Sequence, residues 1–270
     1  MTKLSTYNDF QLEYRLIGNG KKLLLAFHGF GQDTKVFDCF QKTFEATHTI
    51  VAINLFHHGN SKYPETRIQN NTLTKPEFKA IINNLISELN IEQFDVMGYS
   101  LGGKIALCIA EAFPEKTTNV ILIAPDGIKI NPWYHFVSKT WIGQKLYTFV
   151  LRNPKPFLNI VDFANRLHII DNKLKRFVFL NMDDKTNRLL VYKVWMTYRY
   201  INPNIAEFIK KTREQQMNVW QFFGEYDKII PPSIGQKFSE LLNQENHFFT
   251  LKIGHNMLSE QTARLIHSKL

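Results

Sequence analysis

Short, uninterrupted apolar runs recur along the chain, and longer segments with helical spacing separate them. The runs "KLLLAF", "NVILIA" and "VWQFF" lack the polar and apolar alternation of a half-exposed strand. Strands buried on both faces belong to parallel sheets, because crossover helices cover both faces of such a sheet. We predict strands at residues 12–17, 22–28, 49–55, 94–99, 119–124, 219–224 and 248–253. This rhythm predicts an α/β fold with a mostly parallel sheet flanked by helices.

The segments between the strands have the apolar spacing of amphipathic helices, at residues 72–90, 100–113, 231–243 and 256–270. The rhythm stops after Pro125, where long aromatic and basic segments with no clear strand begin. We therefore predict an α/β core domain at residues 1–129 and 216–270. A helical insertion is predicted at residues 130–215.

The net charge of +9 is concentrated in that insertion. Residues 131–215 hold 15 Lys and Arg against 6 Asp and Glu, and the rest of the chain is balanced. No zinc-finger spacing, aromatic RNA-binding motif or glycine-rich basic tail accompanies the charge, so we do not predict nucleic-acid binding. The charge favours an anionic substrate or peripheral contact with a negatively charged surface.

The chain has the features of a protein from a reducing compartment. Its two cysteines, Cys39 and Cys108, show neither a disulfide pattern nor a metal-ligand spacing. The first twenty residues are too polar for a secretory signal, and no run of 18 apolar residues occurs. We expect a soluble, cytoplasmic protein without a transmembrane segment, and its oligomeric state stays open.

One serine lies in a glycine cluster between a predicted strand and a predicted helix. Residues 98–102 read Gly-Tyr-Ser-Leu-Gly, which fits the pattern G-x-S-x-G. A sharp turn from strand to helix would present Ser100 at the carboxyl edge of the sheet, and the glycines would let neighbouring segments approach. The alternative is a tight turn without chemistry.

A serine hydroxyl becomes a good nucleophile when an imidazole accepts its proton and a carboxylate orients that imidazole. Of nine histidines, His255 directly follows the last predicted strand, where it could reach Ser100. Asp227 follows another strand and precedes an apolar pair and two prolines; Glu225 is the second choice. The alternative is that both acids are solvated turn residues. Asp95, one strand length before the serine, is expected to be structural.

Four motifs together resemble the α/β-hydrolase superfamily. They are "HGFGQ" at 28–32, "GYSLGG" at 98–103, "GEYDKIIPP" at 224–232 and "GHNML" at 254–258. Their order is that of an early His-Gly loop, then nucleophile, acid and base. The resemblance covers residues 11–125 and 216–270, and the insertion falls where the superfamily often carries a helical cap.

The resemblance implies a role for each matching position. Ser100 corresponds to the nucleophile, Asp227 to the acid and His255 to the base. The backbone N–H groups of Phe30 and Leu101 correspond to the oxyanion hole, which stabilises the tetrahedral intermediate. No cofactor is implied. The aromatic side chains of the cap would pack its helices and form part of a pocket roof.

One loop departs from the superfamily pattern. Where the superfamily often reads D-x-P-G-H-G-x-S, residues 54–61 begin with Asn54 in place of Asp and have Phe56-His57 in place of Pro-Gly. We expect this change to affect the shape of the substrate site more than the chemistry. The pair His57-His58 lacks a following H-x-H-x-D cluster, so no metal site is predicted.

Three functions remain open from the sequence. A carboxylic-ester hydrolase that acts through an acyl-enzyme on a small-molecule ester or related acyl substrate is the leading prediction. The second is a carbon–carbon bond hydrolase or a lyase similar to α/β-hydrolase enzymes of the menaquinone pathway. The third is a non-catalytic binding module on the same fold.

Overall fold

The computed structural model describes residues 2–129 and 132–270. Within them, eight strands form one sheet in the order β1-β2-β4-β3-β5-β6-β7-β8. The first two pairings, β1 with β2 and β2 with β4, are antiparallel, and the other five are parallel. The predicted mostly parallel sheet is therefore confirmed. The strands are β1 (Thr2–Tyr7), β2 (Phe10–Ile17), β3 (Lys22–Phe27), β4 (His48–Ile53), β5 (Phe94–Tyr99), β6 (Thr117–Ile123), β7 (Asn218–Gly224) and β8 (Phe248–Leu251).

Helices connect the parallel strands. The segment between β5 and β6 folds as the predicted apolar helix, and most of its side chains are buried. A short helix between β3 and β4 was not predicted. The helices are α1 (Asp38–Phe44), α2 (Lys75–Glu88), α3 (Leu101–Ala112), α4 (Pro132–Lys139), α5 (Trp141–Arg152), α6 (Pro154–Arg166), α7 (Asn172–Met182), α8 (Lys185–Thr197), α9 (Ile205–Glu214), α10 (Pro232–Leu242) and α11 (Glu260–His267).

Strand β1 escaped prediction because it carries no buried apolar run. Most of its side chains are exposed, and it pairs with β2 through a tight turn in which Asn8 has a φ of 50°. An antiparallel edge strand of this kind needs no apolar pattern, since its partner supplies the backbone hydrogen bonds.

The chain forms two compact units, and their boundaries differ from the prediction. The second unit consists of Glu65–Thr72 and Ile130–Arg199, and the rest forms the first unit. Residues 200–215 of the predicted insertion at 130–215 fall in the first unit, and its first two residues lie outside the described residues. Residues 65–72, which the sequence places in the core domain, fall in the second unit.

Local contacts explain both differences. Helix α9 belongs to the first unit because Asn204 N–H, just before it, donates to Glu111 Oε2 over 2.9 Å, and Lys211 Nζ donates to the Glu111 carbonyl over 3.0 Å. Residues 65–72 join the second unit because the guanidinium of Arg199 donates to the carbonyls of Ile68 and Gln69 over 2.8 and 2.9 Å.

The carboxyl ends of the parallel strands meet at one edge of the sheet. Ser100 follows β5, Asp227 follows β7 and His255 follows β8 at this edge. Ligand sites of open α/β sheets lie at this edge, because the loops that leave the strands gather there. The fold therefore gathers the three predicted site residues from distant parts of the sequence.

Candidate active site

Ser100 occupies the sharp turn between β5 and α3. Its φ of 52° and ψ of −117° lie in a region that a non-glycine residue rarely adopts. Hydrogen bonds hold the turn: the Ser100 N–H donates to the Ile123 carbonyl over 3.0 Å, and the Ser100 carbonyl accepts from Gly103 N–H and Asp126 N–H over 2.8 and 2.9 Å. The surrounding backbone therefore fixes the serine in a strained conformation.

The glycines beside Ser100 are required by close backbone approach. A Cβ on Gly102 would lie 2.0 Å from the carbonyl oxygen of Phe27, and a Cβ on Gly98 would lie 2.1 Å from the carbonyl oxygen of Gly102. Both distances are far shorter than any van der Waals contact. The glycine cluster thus lets α3 pack directly against β3 and β5.

The structure brings Ser100, His255 and Asp227 into one hydrogen-bonded row. His255 Nε2 lies 3.1 Å from Ser100 Oγ, and His255 Nδ1 lies 2.6 Å from Asp227 Oδ2. The second carboxylate oxygen of Asp227 accepts the N–H groups of Ile229 and Ile230 over 2.8 and 3.0 Å. This geometry lets Nδ1 donate to the carboxylate while Nε2 accepts the serine proton.

Asp227 is buried and fully hydrogen-bonded. Burial alone would raise the pKa of this carboxyl, but the hydrogen bonds from His255, Ile230 and Ile229 outweigh burial and lower it. The carboxylate therefore stays ionised at neutral pH. An ionised Asp227 accepts the hydrogen bond from His255 Nδ1 and thereby fixes the orientation of the imidazole.

Glu225 and Asp95, the other acids named from the sequence, lie in different environments, and so does His247 just before β8. His247 stacks on Trp220, with 3.8 Å between the ring centroids, and Glu225 is exposed. Asp95 accepts hydrogen bonds from the backbone and side-chain nitrogens of Asn119 over 3.0 and 2.7 Å. These contacts tie Asp95 to the start of β6, as its expected structural role requires.

Of three consecutive N–H groups in the loop after β3, two donate to acceptors within the protein. Gly29 N–H donates to Gln32 Oε1 over 3.0 Å, and Gly31 N–H donates to His58 Nε2 over 3.0 Å. Within the described residues, no protein acceptor is found for the N–H of Phe30 between them. Of the three consecutive donors, Phe30 is thus the one that could bind a substrate oxygen.

Leu101 supplies the second predicted donor. It is the first residue of α3, so its N–H belongs to the group of helix N-terminal donors that have no partner within the helix. The helix dipole adds a partial positive charge at this position. An N–H directly after Ser100 is suited to bind negative charge that develops on a carbonyl oxygen attached to Ser100.

Two buried histidines support the loop of Phe30. His28 Nδ1 lies 2.7 Å from the Gly29 carbonyl, and His28 Nε2 accepts the Leu55 N–H over 3.0 Å. Burial, with a smaller effect of His58, lowers the pKa of His28 to about 3, and burial lowers the pKa of His58 as well. Both rings are therefore neutral, and each can accept a backbone N–H.

The unusual Asn54 has a specific partner. Its Nδ2 donates to Glu13 Oε2 over 2.6 Å, and its Oδ1 accepts the Thr34 N–H over 2.9 Å. Asn60 N–H and Nδ2 each donate to the same carboxylate over 2.7 Å. Burial opposes the charge of Glu13, but these hydrogen bonds outweigh it and lower its pKa. An Asp at position 54 would place a second carboxylate here.

Sequence reasoning missed Tyr99. Its hydroxyl donates to the His255 carbonyl over 2.7 Å, and the two rings are 5.4 Å apart. Burial, with the charge of Asp227, raises the pKa of Tyr99 to about 12, so the hydroxyl keeps its proton. The pattern G-x-S-x-G leaves this position free, and no sequence signal pairs it with a loop 156 residues away.

The described residues contain no group of three or more His, Cys, Asp and Glu side chains arranged to hold a metal ion. His58 is engaged with Gly31 and the carbonyl of Phe56, and the ring of His57 lies 5.7 Å from that of Tyr63. The adjacent histidines thus have partners within the protein.

The fold is that of an α/β hydrolase. The family model for the alpha/beta hydrolase fold matches residues 22–262, so the chain belongs to this family. It is 23% identical over 260 residues to an uncharacterised hydrolase of Bacillus subtilis, YugF, covering 92% of this chain and 88% of that protein.

Two further comparisons mark how far the similarity extends. An uncharacterised protein of Mycobacterium tuberculosis is 27% identical over 123 residues, which is 46% of this chain and 34% of that protein. The chain thus spans about a third of the length of that relative. A thermophilic esterase from Thermogutta terrifontis superposes with a TM-score of 0.67 and 16% identity, over 100% of this chain and 96% of that one. At this identity the likeness shows the fold.

Proposed function

We propose that the protein is a serine hydrolase that cleaves carboxylic esters or related acyl compounds through an acyl-enzyme. The observation that carries the proposal is the row of hydrogen bonds Ser100–His255–Asp227, with 3.1 and 2.6 Å between the bonded atoms. A nucleophile, a base and an orienting carboxylate at these distances are the requirements for acyl transfer by serine.

The chemistry follows from these positions. Ser100 Oγ attacks the carbonyl carbon of the substrate while His255 Nε2 takes the hydroxyl proton. The N–H groups of Phe30 and Leu101 bind the resulting oxyanion, and loss of one such donor typically costs about 3 kcal/mol of transition-state stabilisation. The alcohol leaves with the proton from His255, and Ser100 keeps the acyl group.

Water then completes the cycle. His255 accepts a proton from a water molecule, whose oxygen attacks the acyl carbon, and Ser100 leaves with that proton as the acid is released. The negative charge of Asp227 stabilises the imidazolium formed in both halves of the reaction. The names of two relatives in sequence, which contain the words hydrolase and esterase/lipase, support hydrolysis as the outcome.

A serine-reactive fluorophosphonate tests the proposal. We expect one covalent adduct on Ser100, found by peptide mapping, and turnover of p-nitrophenyl esters that Ser100→Ala lowers by at least about a thousandfold. Ser87→Ala, on the exposed face of α2, is the matched control and should label and turn over normally. Absence of an adduct on Ser100 in the folded protein would refute the proposal.

An ester panel separates the two enzymatic alternatives. Labelling of Ser100 without hydrolysis of any ester would favour a carbon–carbon bond hydrolase or a lyase, because those reactions use the same nucleophile on another bond. The charge of the second unit supports an anionic substrate. For an anionic ester we therefore expect kcat/KM to fall as salt rises, and a neutral ester of equal length is the control.

A further inference from the structure

Large apolar side chains are exposed on the second unit far more often than on the first. Of 17 exposed large hydrophobic side chains in the described part of the chain, 11 belong to Glu65–Thr72 and Ile130–Arg199. That unit is less than a third of the chain. Exposed apolar side chains mark a binding surface where they are contiguous, as they are on the outward sides of single helices in this unit.

Helix α5 shows the pattern most clearly. Gly143 and Tyr147 are buried on one side of the helix. On the other side, Trp141, Ile142 and Phe149 are 68%, 64% and 54% exposed. A helix with apolar side chains on its exposed side as well as on its buried side can pack against a second apolar surface. We call the outward side the α5 stripe; it consists of Trp141, Ile142, Lys145, Leu146, Phe149 and Arg152.

Cationic side chains are interleaved with the apolar ones. Lys145 Nζ lies 3.8 Å from the centre of the Trp141 ring, so charge and aromatic surface are adjacent. Helix α6 repeats the arrangement, since Leu158 and Val161 are buried while apolar and basic residues share its outward side. This α6 stripe consists of Lys155, Ile160, Phe163 and Arg166 of the helix and Leu167 directly after it.

We propose that the α5 stripe and the α6 stripe bind the surface of an anionic lipid bilayer. Apolar side chains, tryptophan above all, would enter the boundary between head groups and acyl chains. Lys145, Arg152 and Lys155 would meet the anionic head groups, which attract cations near the surface. None of the described helices is both long and apolar enough to cross a bilayer.

The net positive charge of the second unit favours an anionic bilayer over a second copy of the chain as the partner of the two stripes. Residues 65–72 and 130–199 hold 13 Lys and Arg against 5 Asp and Glu. Two such surfaces would repel each other if they met face to face, whereas an anionic bilayer attracts the same charge. The proposal does not depend on the role of Ser100, and its test measures binding.

Sedimentation of the protein with lipid vesicles tests the proposal. We expect binding to phosphatidylcholine vesicles that contain about 30% phosphatidylglycerol, and much weaker binding to pure phosphatidylcholine. The variant W141S/I142S/F149S should bind the anionic vesicles about tenfold less well or worse. The variant K145Q/R152Q should lose about tenfold on anionic vesicles and nothing on neutral ones.

Matched controls exclude a general effect of lost apolar surface. The variant L4S/L241S removes two exposed leucines from the first unit and should bind as the wild type does. Because the α5 substitutions lie on exposed side chains, the melting temperature and circular dichroism should stay unchanged.

Two results would overturn the proposal. One is equal binding of the wild type and W141S/I142S/F149S to anionic vesicles. The other is a dimer, seen by sedimentation velocity and abolished by the same three substitutions, in a protein that does not bind vesicles; this result would assign the stripe to a second copy.

Discussion

The hydroxyl of Tyr99, the residue directly before the strained Ser100, donates to the backbone carbonyl of His255 over 2.7 Å. The same side chain contacts the imidazole ring, with 5.4 Å between the ring centroids. Tyr99 thereby holds the loop after β8 against the turn after β5. In the proposed mechanism Tyr99 positions the imidazole and does not itself reach the reacting atoms.

Tyr99→Phe should therefore slow the reaction without weakening substrate binding. Loss of one hydrogen bond is worth about 1 kcal/mol, so we expect kcat to fall about fivefold while KM stays constant. Ester kinetics measure this split, and Tyr7→Phe on the edge strand β1 is the control. An unchanged kcat combined with a lower melting temperature would show that the hydroxyl acts on stability alone.

Gly102→Ala should prevent normal folding. The added methyl group would overlap the carbonyl oxygen of Phe27, so α3 would have to move away from β3, at a cost of about 3 kcal/mol or more. Urea denaturation or the yield of soluble protein measures the effect. Gly254→Ala, beside His255, meets no atom within 4 Å and should change stability by less than about 1 kcal/mol.

Asn54→Asp restores the residue common in the superfamily but should destabilise this protein. The new carboxylate would face the buried Glu13 carboxylate at the position of a 2.6 Å hydrogen bond, and we expect a loss of about 1–3 kcal/mol at pH 8. The loss should shrink as the pH falls, because protonation of one carboxyl relieves the repulsion. Chemical denaturation at two pH values measures both effects.

Two further variants check that explanation. Asn83→Asp changes an exposed residue of α2 and should leave stability nearly unchanged. The double variant E13Q/N54D exchanges amide and carboxylate and should recover much of the lost stability. If E13Q/N54D is no better than N54D alone, repulsion between the two carboxylates is not the cause.

The stability of the protein should fall between pH 6.5 and about pH 5. Burial lowers the pKa of His28 from 6.5 to about 3, so below pH 6.5 the unfolded chain binds a proton that the folded chain excludes. His28 alone then contributes about 2 kcal/mol of destabilisation at pH 5, and His58 acts in the same direction.

Denaturation curves across this pH range measure the effect. His28→Gln should be less stable at pH 8 but should lose less on acidification, since one titrating group is gone. Burial also lowers the pKa of His247, so the stability of that variant should still fall somewhat on acidification. Constant wild-type stability from pH 7 to pH 5 would contradict the assignment of buried neutral histidines.

Much of the core could be predicted because its signals are local. The strands β3 and β6 carry the continuous apolar runs "LLLAF" and "VILI", and the turn at Ser100 needs glycines that are visible in the sequence. The proximity of Ser100, Asp227 and His255 could be predicted because each of them follows a predicted strand. Parallel strands align their carboxyl ends, so the order of elements is sufficient for that inference.

The remainder depends on contacts between distant segments. Residues 65–72 belong to the second unit through hydrogen bonds to Arg199, and α9 belongs to the first unit through Glu111; neither pairing leaves a pattern in the sequence. The same holds for Tyr99 and for the partnership of Asn54 with Glu13. That the insertion acts as a substrate-selecting cap stays a prediction.

Strands β6 and β7 are hydrogen-bonded neighbours, paired from Asn119 with Asn218 to Ile123 with Phe222, although more than ninety residues separate them in the sequence. The ladder between these two strands therefore does not depend on the long segment that joins them. Residues 130–199 could be replaced by another segment without interrupting the sheet that aligns Ser100 with Asp227. Such a replacement in the laboratory would have to rebuild the hydrogen bonds that Arg199 makes to the carbonyls of Ile68 and Gln69.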